Sequence, residues 1–289
     1  MKKSRKKVTK AKHYQPKEEK LVTLVNYILD QSGSMQDVKP QVLSGFEEYL
    51  NGLKKQMATE SELYFSLTLF DSSYGGIRLE KPYLVTKIDA VQPLNNSSYS
   101  PNGMTPLYDA IGKTIKDVDN LIKDKNLKIH RILTVIHTDG QENSSKEFNA
   151  KLISKLREEK EATGHWTFVY IGAGPTTWAD ASSLGFGVNN TMLYDPAKTK
   201  DMFRSAAVAT SAYRSSMDIS TNVFFKNGSK FVNKKEVDAK KRYTHLSSDG
   251  YTKYTTTEWK DGTWSCNCPG WANRKTCKHI GGGVSAIIK

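Results

Sequence analysis

Apolar and polar positions alternate between two periods along most of this chain. Leu21 to Leu29 (LVTLVNYIL) is a near-continuous apolar, β-branched run, the pattern of a strand buried on both faces. It stops at Asp30, and a small polar loop with Ser32, Gly33 and Ser34 follows. Val42, Phe46, Tyr49, Leu50, Leu53 and Met57 then recur at helical spacing, with Asp37 and Pro40 as starting signals. Leu63 to Phe70 predicts a second strand, and Ile77 to Val85 an edge strand, marked by Pro82 and interspersed charges. Beyond the polar stretch Pro93–Gly103, Thr105-Pro106 opens a helix carrying Leu107, Ile111, Ile115, Val118 and Ile122. His130–Thr138 predicts another central strand that halts at Asp139-Gly140. A helix is expected from Glu147 to Thr163, burying Phe148, Leu152, Ile153 and Leu156. A strand at Trp166–Ile171, a short helix near 177–183, a short strand near 192–194 and a helix from Pro196 to about Ser215 complete the body.

Strands alternating with amphipathic helices predict an α/β fold: a doubly wound, mostly parallel sheet covered on both faces. Right-handed crossovers bring every strand-to-helix loop to one sheet edge, where ligands of such sheets bind. Asp30, Thr105 and Asp139 all fall on those loops. Residues 1–20 lack periodicity and read as a disordered basic arm, and 21–217 as the α/β domain. Residues 218–240, rich in Lys, Asn and Ser, read as a linker whose Val223, Phe224 and Phe225 pack partly on a neighbour. From 241 to 289 short β-prone segments are split by Asp249-Gly250 and Asp261-Gly262, both hairpin signals, before a short C-terminal helix from His279.

Charge changes this picture. Residues 1–20 hold nine Lys/Arg against two Glu, and residues 226–289 thirteen against five acids. Residues 21–225 hold twenty-one bases and twenty-three acids. The body therefore gives no support to a nucleic-acid groove, and any polyanion is left to the two basic ends. No apolar run is long enough to span a membrane, and the basic N-terminus lacks the apolar segment of a signal peptide. The expected setting is cytoplasmic, in a bacterial cell or as a phage-encoded protein in its host.

All three cysteines lie between 266 and 277, which excludes a disulfide framework and points to a local metal site. Cys266, Cys268, Cys277 and His279 offer three sulfurs and an imidazole, suited to closed tetrahedral Zn²⁺. So small a unit buries too little on its own, and zinc would supply much of its folding free energy. Lys253, Lys260, Arg274, Lys275 and Lys278, interleaved with Tyr251, Tyr254, Trp259 and Trp271, are candidate phosphate contacts and stacking platforms. They serve equally as solvated lysines around aromatics that cover a zinc core.

Asp30, Ser32 and Ser34 form half of a hard-oxygen site for a divalent cation, and Thr105 and Asp139 fall on loops at the same sheet edge. Ser34, His137 and an Asp imitate a catalytic triad in composition only, because no GxSxG elbow precedes Ser34. Gly172-Ala173-Gly174 lacks the third glycine of a dinucleotide loop, and no Walker A sequence occurs.

Asp-x-Ser-x-Ser at 30–34, the Gly103-Met104-Thr105-Pro106-Leu107 loop and the Thr138-Asp139-Gly140 strand end, in that order, resemble the von Willebrand factor A (vWA) domain with its metal-ion-dependent adhesion site. The resemblance covers about residues 20–215. It implies a six-stranded doubly wound sheet with one antiparallel strand, and ligation by Ser32, Ser34 and Thr105 with Asp30 and Asp139 acting directly or through water. It further implies Mg²⁺ (or Mn²⁺ or Ca²⁺) that captures a carboxylate from a protein partner. The cysteine cluster, with Trp264, Pro269 and Cys277-Lys278-His279-Ile280, resembles the SWIM zinc finger over about 243–289, a module whose members bind DNA or proteins. Gly281-Gly282-Gly283 departs from a closing helix.

The expected function is that of a non-enzymatic adaptor. Two alternatives are a nucleic-acid-binding protein whose vWA domain mediates assembly, and a metal-binding accessory subunit of an ATP-dependent complex.

Overall fold

The computed structural model describes residues 21–55, 61–73, 76–173, 177–216, 224–225, 239–246, 253–259 and 264–266. Strand β1 (Leu21–Asp30) leads through a 3₁₀ turn (Gly33–Gln36) into helix α1 (Lys39–Lys55), then β2 (Ser61–Ser73) and β3 (Gly76–Lys87). Helix α2 (Leu107–Asp124), β4 (Arg131–Thr138), α3 (Ala150–Glu161) and β5 (Trp166–Ala173) follow. Then come α4 (Thr177–Ser183), β6 (Thr191–Tyr194) and α5 (Thr199–Ser215).

The six strands form one sheet in the order β3-β2-β1-β4-β5-β6. All neighbours are parallel except β3, which runs antiparallel to β2 with two register shifts. Every residue of β4 and β5 is buried, as their unbroken apolar runs require of strands covered on both faces. On one face Val25, Tyr27, Leu29, Leu133 and Val135 pack under Phe46, Tyr49 and Leu53 of α1 and Phe203 of α5. On the other, Leu24, Ile28, Ile132 and Ile136 pack under Leu107, Ile111 and Ile115 of α2 and Ile153 of α3. Full burial of one such side chain is worth about 1.5–3 kcal/mol, so each face contributes heavily to stability.

The strand order positions the site. From β1 the chain winds outward through β2 and β3, then returns to place β4 on the other side of β1. The loops leaving β1 and β4 therefore diverge over opposite faces, and a crevice opens between the carboxyl ends of these two neighbouring strands. Asp30 ends β1 and Asp139 follows β4.

Two helix starts differ from expectation. Helix α3 begins at Ala150 rather than Glu147, because the Asp109 carboxylate captures the N–H groups of Lys146, Glu147 and Phe148 at 2.8–2.9 Å. Asn149 then caps the helix, accepting from Leu152 N at 3.0 Å. On that helix Ile153 is buried but Leu152 faces out, 46% exposed. Helix α1 begins at Lys39, and Asp37 closes the preceding 3₁₀ turn instead of capping α1.

Phe224 and Phe225, within the expected linker, are buried in the α/β core. Phe225 N donates to Asn189 O at 3.0 Å and Phe224 packs on Tyr213 with ring centroids 5.9 Å apart. Three further strands, β7 (Ala239–Leu246), β8 (Lys253–Trp259) and β9 (Trp264–Cys266), form a separate antiparallel sheet in chain order. Asp249-Gly250 and Asp261-Gly262 lie outside the described residues, in the intervals of sequence between these strands. No described helix is long and apolar enough to cross a membrane.

Candidate metal centre

Asp30, Ser32, Ser34, Thr105 and Asp139, scattered over more than a hundred positions, meet at the β1/β4 crevice. Asp30 is fully buried. Its Oδ1 accepts from Ser32 N at 2.7 Å, and its Oδ2 takes a short hydrogen bond from Thr138 Oγ1. Its carbonyl accepts from the Tyr99 hydroxyl at 2.7 Å, which fixes the strand end. Ser32 and Ser34 hydroxyls lie 3.2 Å apart, and Ser34 Oγ donates to Asp139 Oδ1 at 2.7 Å. Thr105 is buried, whereas Ser34 is exposed and Asp139 half-buried. Asp30, Ser32 and Thr105 thus make a dry floor, and Ser34 and Asp139 an open rim.

Gly140 shows where the oxygens point. A Cβ built there would lie 3.0 Å from Thr105 Oγ1, 3.3 Å from Ser34 Oγ and 3.5 Å from Asp30 Oδ2. Three oxygens from two loops therefore gather around one point on a third, the loop after β4, that no side chain fills. Oxygen-only donors, two of them carboxylates, fit a hard divalent cation such as Mg²⁺, Mn²⁺ or Ca²⁺ rather than a soft one. Among the described residues no three His, Cys, Asp or Glu side chains cluster as a metal site, so the hydroxyls are indispensable to this set.

Electrostatics agree. Burial lifts the Asp30 carboxyl to about 7, only partly opposed by the hydrogen bonds from Thr138 and Ser32. Burial also raises Asp139, with the Ser34 hydrogen bond opposing and the nearby Asp37 carboxylate adding to the rise. Two carboxyls held against their preferred ionisation are what a cation would relieve.

The loops are locked from behind. Gly33 N donates to Gly103 O at 3.0 Å, and Ser72 and Met104 exchange two backbone hydrogen bonds of 3.1 Å each. Gly103 has φ +73°, and a Cβ on it would sit 1.9 Å from Ser72 O, so only glycine fits. Thr105 N donates to Asn143 Oδ1 at 2.8 Å, and Asn143 N returns a bond of 3.2 Å to Thr105 O. Tyr99 and Asn143 were not singled out by sequence reasoning, and Gly103 and Thr138 entered it only as members of the resembling motifs, without these roles. The dense polar run after Asp139 was the one available signal.

No protein-family model matches the chain, and no curated protein matches it in sequence. Similar solved structures exist. Proximal thread matrix protein 1 from the mussel byssus is 15% identical, over 65% of this chain and 46% of its own, with a TM-score of 0.46. One structure of that protein has a zinc-occupied adhesion-site motif. A von Willebrand factor type A protein from Catenulispora acidiphila is 18% identical, over 66% of this chain and 43% of its own, with a TM-score of 0.40. The vWF domain of the type V pili tip protein Mfa5 from Porphyromonas gingivalis is 12% identical, over 68% and 97%, with a TM-score of 0.46. The chain thus spans under half the length of the first two.

The triad imitation fails on geometry. His137 is fully buried between the hydroxyls of Tyr27 (3.1 Å) and Tyr194 (3.0 Å), under Phe203, and burial lowers it to about 3. Ser34 instead donates to Asp139. Of the expected zinc ligands, Cys266 ends β9 and is buried, cross-strand from Thr256. Cys268, Cys277 and His279 lie outside the described residues. Lys253 begins β8, while Lys260, Arg274, Lys275 and Lys278 also lie outside them.

Proposed function

We propose that this chain is a non-enzymatic binding protein that captures an acidic protein ligand through a divalent cation, best Mg²⁺, at the β1/β4 crevice. The observation that carries the reading is the convergence of Thr105 Oγ1, Ser34 Oγ and Asp30 Oδ2 around the empty Cβ position of Gly140. Asp30, Ser32, Ser34, Thr105 and Asp139 would hold the ion. Two carboxylates and neutral hydroxyls leave a divalent ion with Lewis acidity toward one more anionic oxygen. The buried floor keeps that position facing outward past Ser34 and Asp139. The near-neutral body favours recognition of a single carboxylate over binding of a polyanion.

Immobilised full chain, challenged with host lysate in Mg²⁺, is expected to retain a protein set that disappears in EDTA. Asp30→Ala is expected to lose the same set in Mg²⁺. Retention that survives both treatments would sink this reading.

The C-terminal stretch would add a structural Zn²⁺ held by Cys266, Cys268, Cys277 and His279, giving a second module that engages nucleic acid or another protein. Elemental analysis of the purified chain is expected to find zinc that Cys266→Ser removes. Zinc-free chain at neutral pH would overturn the assignment.

A further inference from the structure

The loop after β4 and the first turn of α2 cap one another. Glu142 accepts from Tyr108 N at 2.9 Å, and Ser145 Oγ accepts from Asp109 N at 3.0 Å. In return the Asp109 carboxylate holds the N–H groups of Lys146, Glu147 and Phe148. Asn143 occupies the one place in this clamp that reaches the metal centre. It brackets Thr105 on both sides of its backbone, as acceptor for the N–H and donor to the carbonyl. Thr105 is 3% exposed, so water does not replace a lost partner.

We infer that Asn143 is a positioning residue for the cation site. It acts by setting Thr105 Oγ1 against Asp30 and Ser34. The inference rests on the metal reading above and adds a residue to it. Asn143 lies on the same loop as Asp139 and Gly140, so it couples the two ligand-bearing loops into one body. Metal affinity depends on such outer contacts, whose loss typically costs 10- to 100-fold. Asn143 is exposed and the Glu142, Ser145 and Asp109 bonds remain without its side chain. The fold is therefore expected to tolerate its replacement.

The test titrates the full chain with Mn²⁺ alone by calorimetry. Asn143→Ala is expected to weaken Mn²⁺ about 10-fold with little change in the melting temperature of the metal-free chain. Asn143→Asp keeps the acceptor oxygen and is expected to restore most of the affinity. In a Thr105→Ala background, Asn143→Ala is expected to change nothing further, because its effect is transmitted through Thr105. Should Asn143→Ala fail to fold, Asn143→Gln, which displaces the amide by one methylene, carries the same expectation.

Unchanged affinity in Asn143→Ala, or a full additional loss in the Thr105→Ala background, would overturn the inference. If Asp30→Ala also binds Mn²⁺ like the unaltered chain, the metal reading falls and takes this inference with it. If Asp30→Ala loses binding while Asn143→Ala keeps it, the positioning role alone is wrong.

Discussion

In EDTA at pH 8, Asp30→Asn is expected to melt about 5 °C above the unaltered chain while binding no Mg²⁺. Burial raises the Asp30 carboxyl from an ordinary 3.8 to about 7. The folded chain therefore keeps a proton that the unfolded chain releases above about pH 4. That mismatch destabilises the metal-free fold progressively as pH rises from about 4 to 7 and stays constant above. A gap of about three pKa units corresponds to about 4 kcal/mol at most, at about 1.4 kcal/mol per unit.

An asparagine never ionises, and it keeps the acceptor for Ser32 N. Its amide donates to Thr138 Oγ1, which is free to turn its own proton toward Gly140 O, 3.2 Å away. Allowing for imperfect geometry, a gain on the order of 2 kcal/mol remains, and a domain of about 200 residues shifts by about 2–4 °C per kcal/mol. At pH 5 the gain shrinks. Mg²⁺ reverses the ranking, since it stabilises only the chain that binds it. Melting curves at pH 5 and 8, with EDTA or Mg²⁺, decide the matter. A variant less stable than the unaltered chain at pH 8 in EDTA would remove the electrostatic argument.

The second large effect is expected at Gly103. Gly103→Ala places a Cβ 1.9 Å from Ser72 O in a left-handed backbone conformation. Relief requires the loop to leave Ser72, breaking the paired Ser72–Met104 bonds and drawing Gly103 O from Gly33 N. A loss of about 3 kcal/mol or more is expected, together with loss of Mg²⁺ affinity, because the Thr105 and Ser34 loops separate. Gly76 is the control: φ is +118°, but nothing lies within 4 Å of its Cβ position. Gly76→Ala should cost about 1–3 kcal/mol from backbone strain alone and leave the metal affinity unchanged. Equal affinity in Gly103→Ala and the unaltered chain would show that the loops are not held as described.

Much of this was legible in the chain itself. The all-buried β4 and β5 announce themselves as apolar runs, Asp30 and Asp139 stand where such runs break, and Thr105 stands where a helix opens. The sequence resemblance supplied six strands with one antiparallel, and β3 is that strand. What periodicity could not show are bonds between residues that share no pattern. The Asp109 carboxylate delays α3 from thirty-seven or more positions away, and nothing local to Glu147 forbids helix. Gly103 opens one of the resembling motifs, but nothing shows why it must be glycine until Ser72 is laid against it. His137 looks chemical in sequence because its tyrosine partners lie 57 and 110 positions away.

Phe224 and Phe225 bound how far β7 can lie from the α/β body. Their burial moves the anchor of the chain from the end of α5 to the β6 side of the body. Only thirteen residues, 226–238, separate that anchor from β7. Fully extended they reach at most about 50 Å. The second sheet therefore starts no farther than that from Phe225.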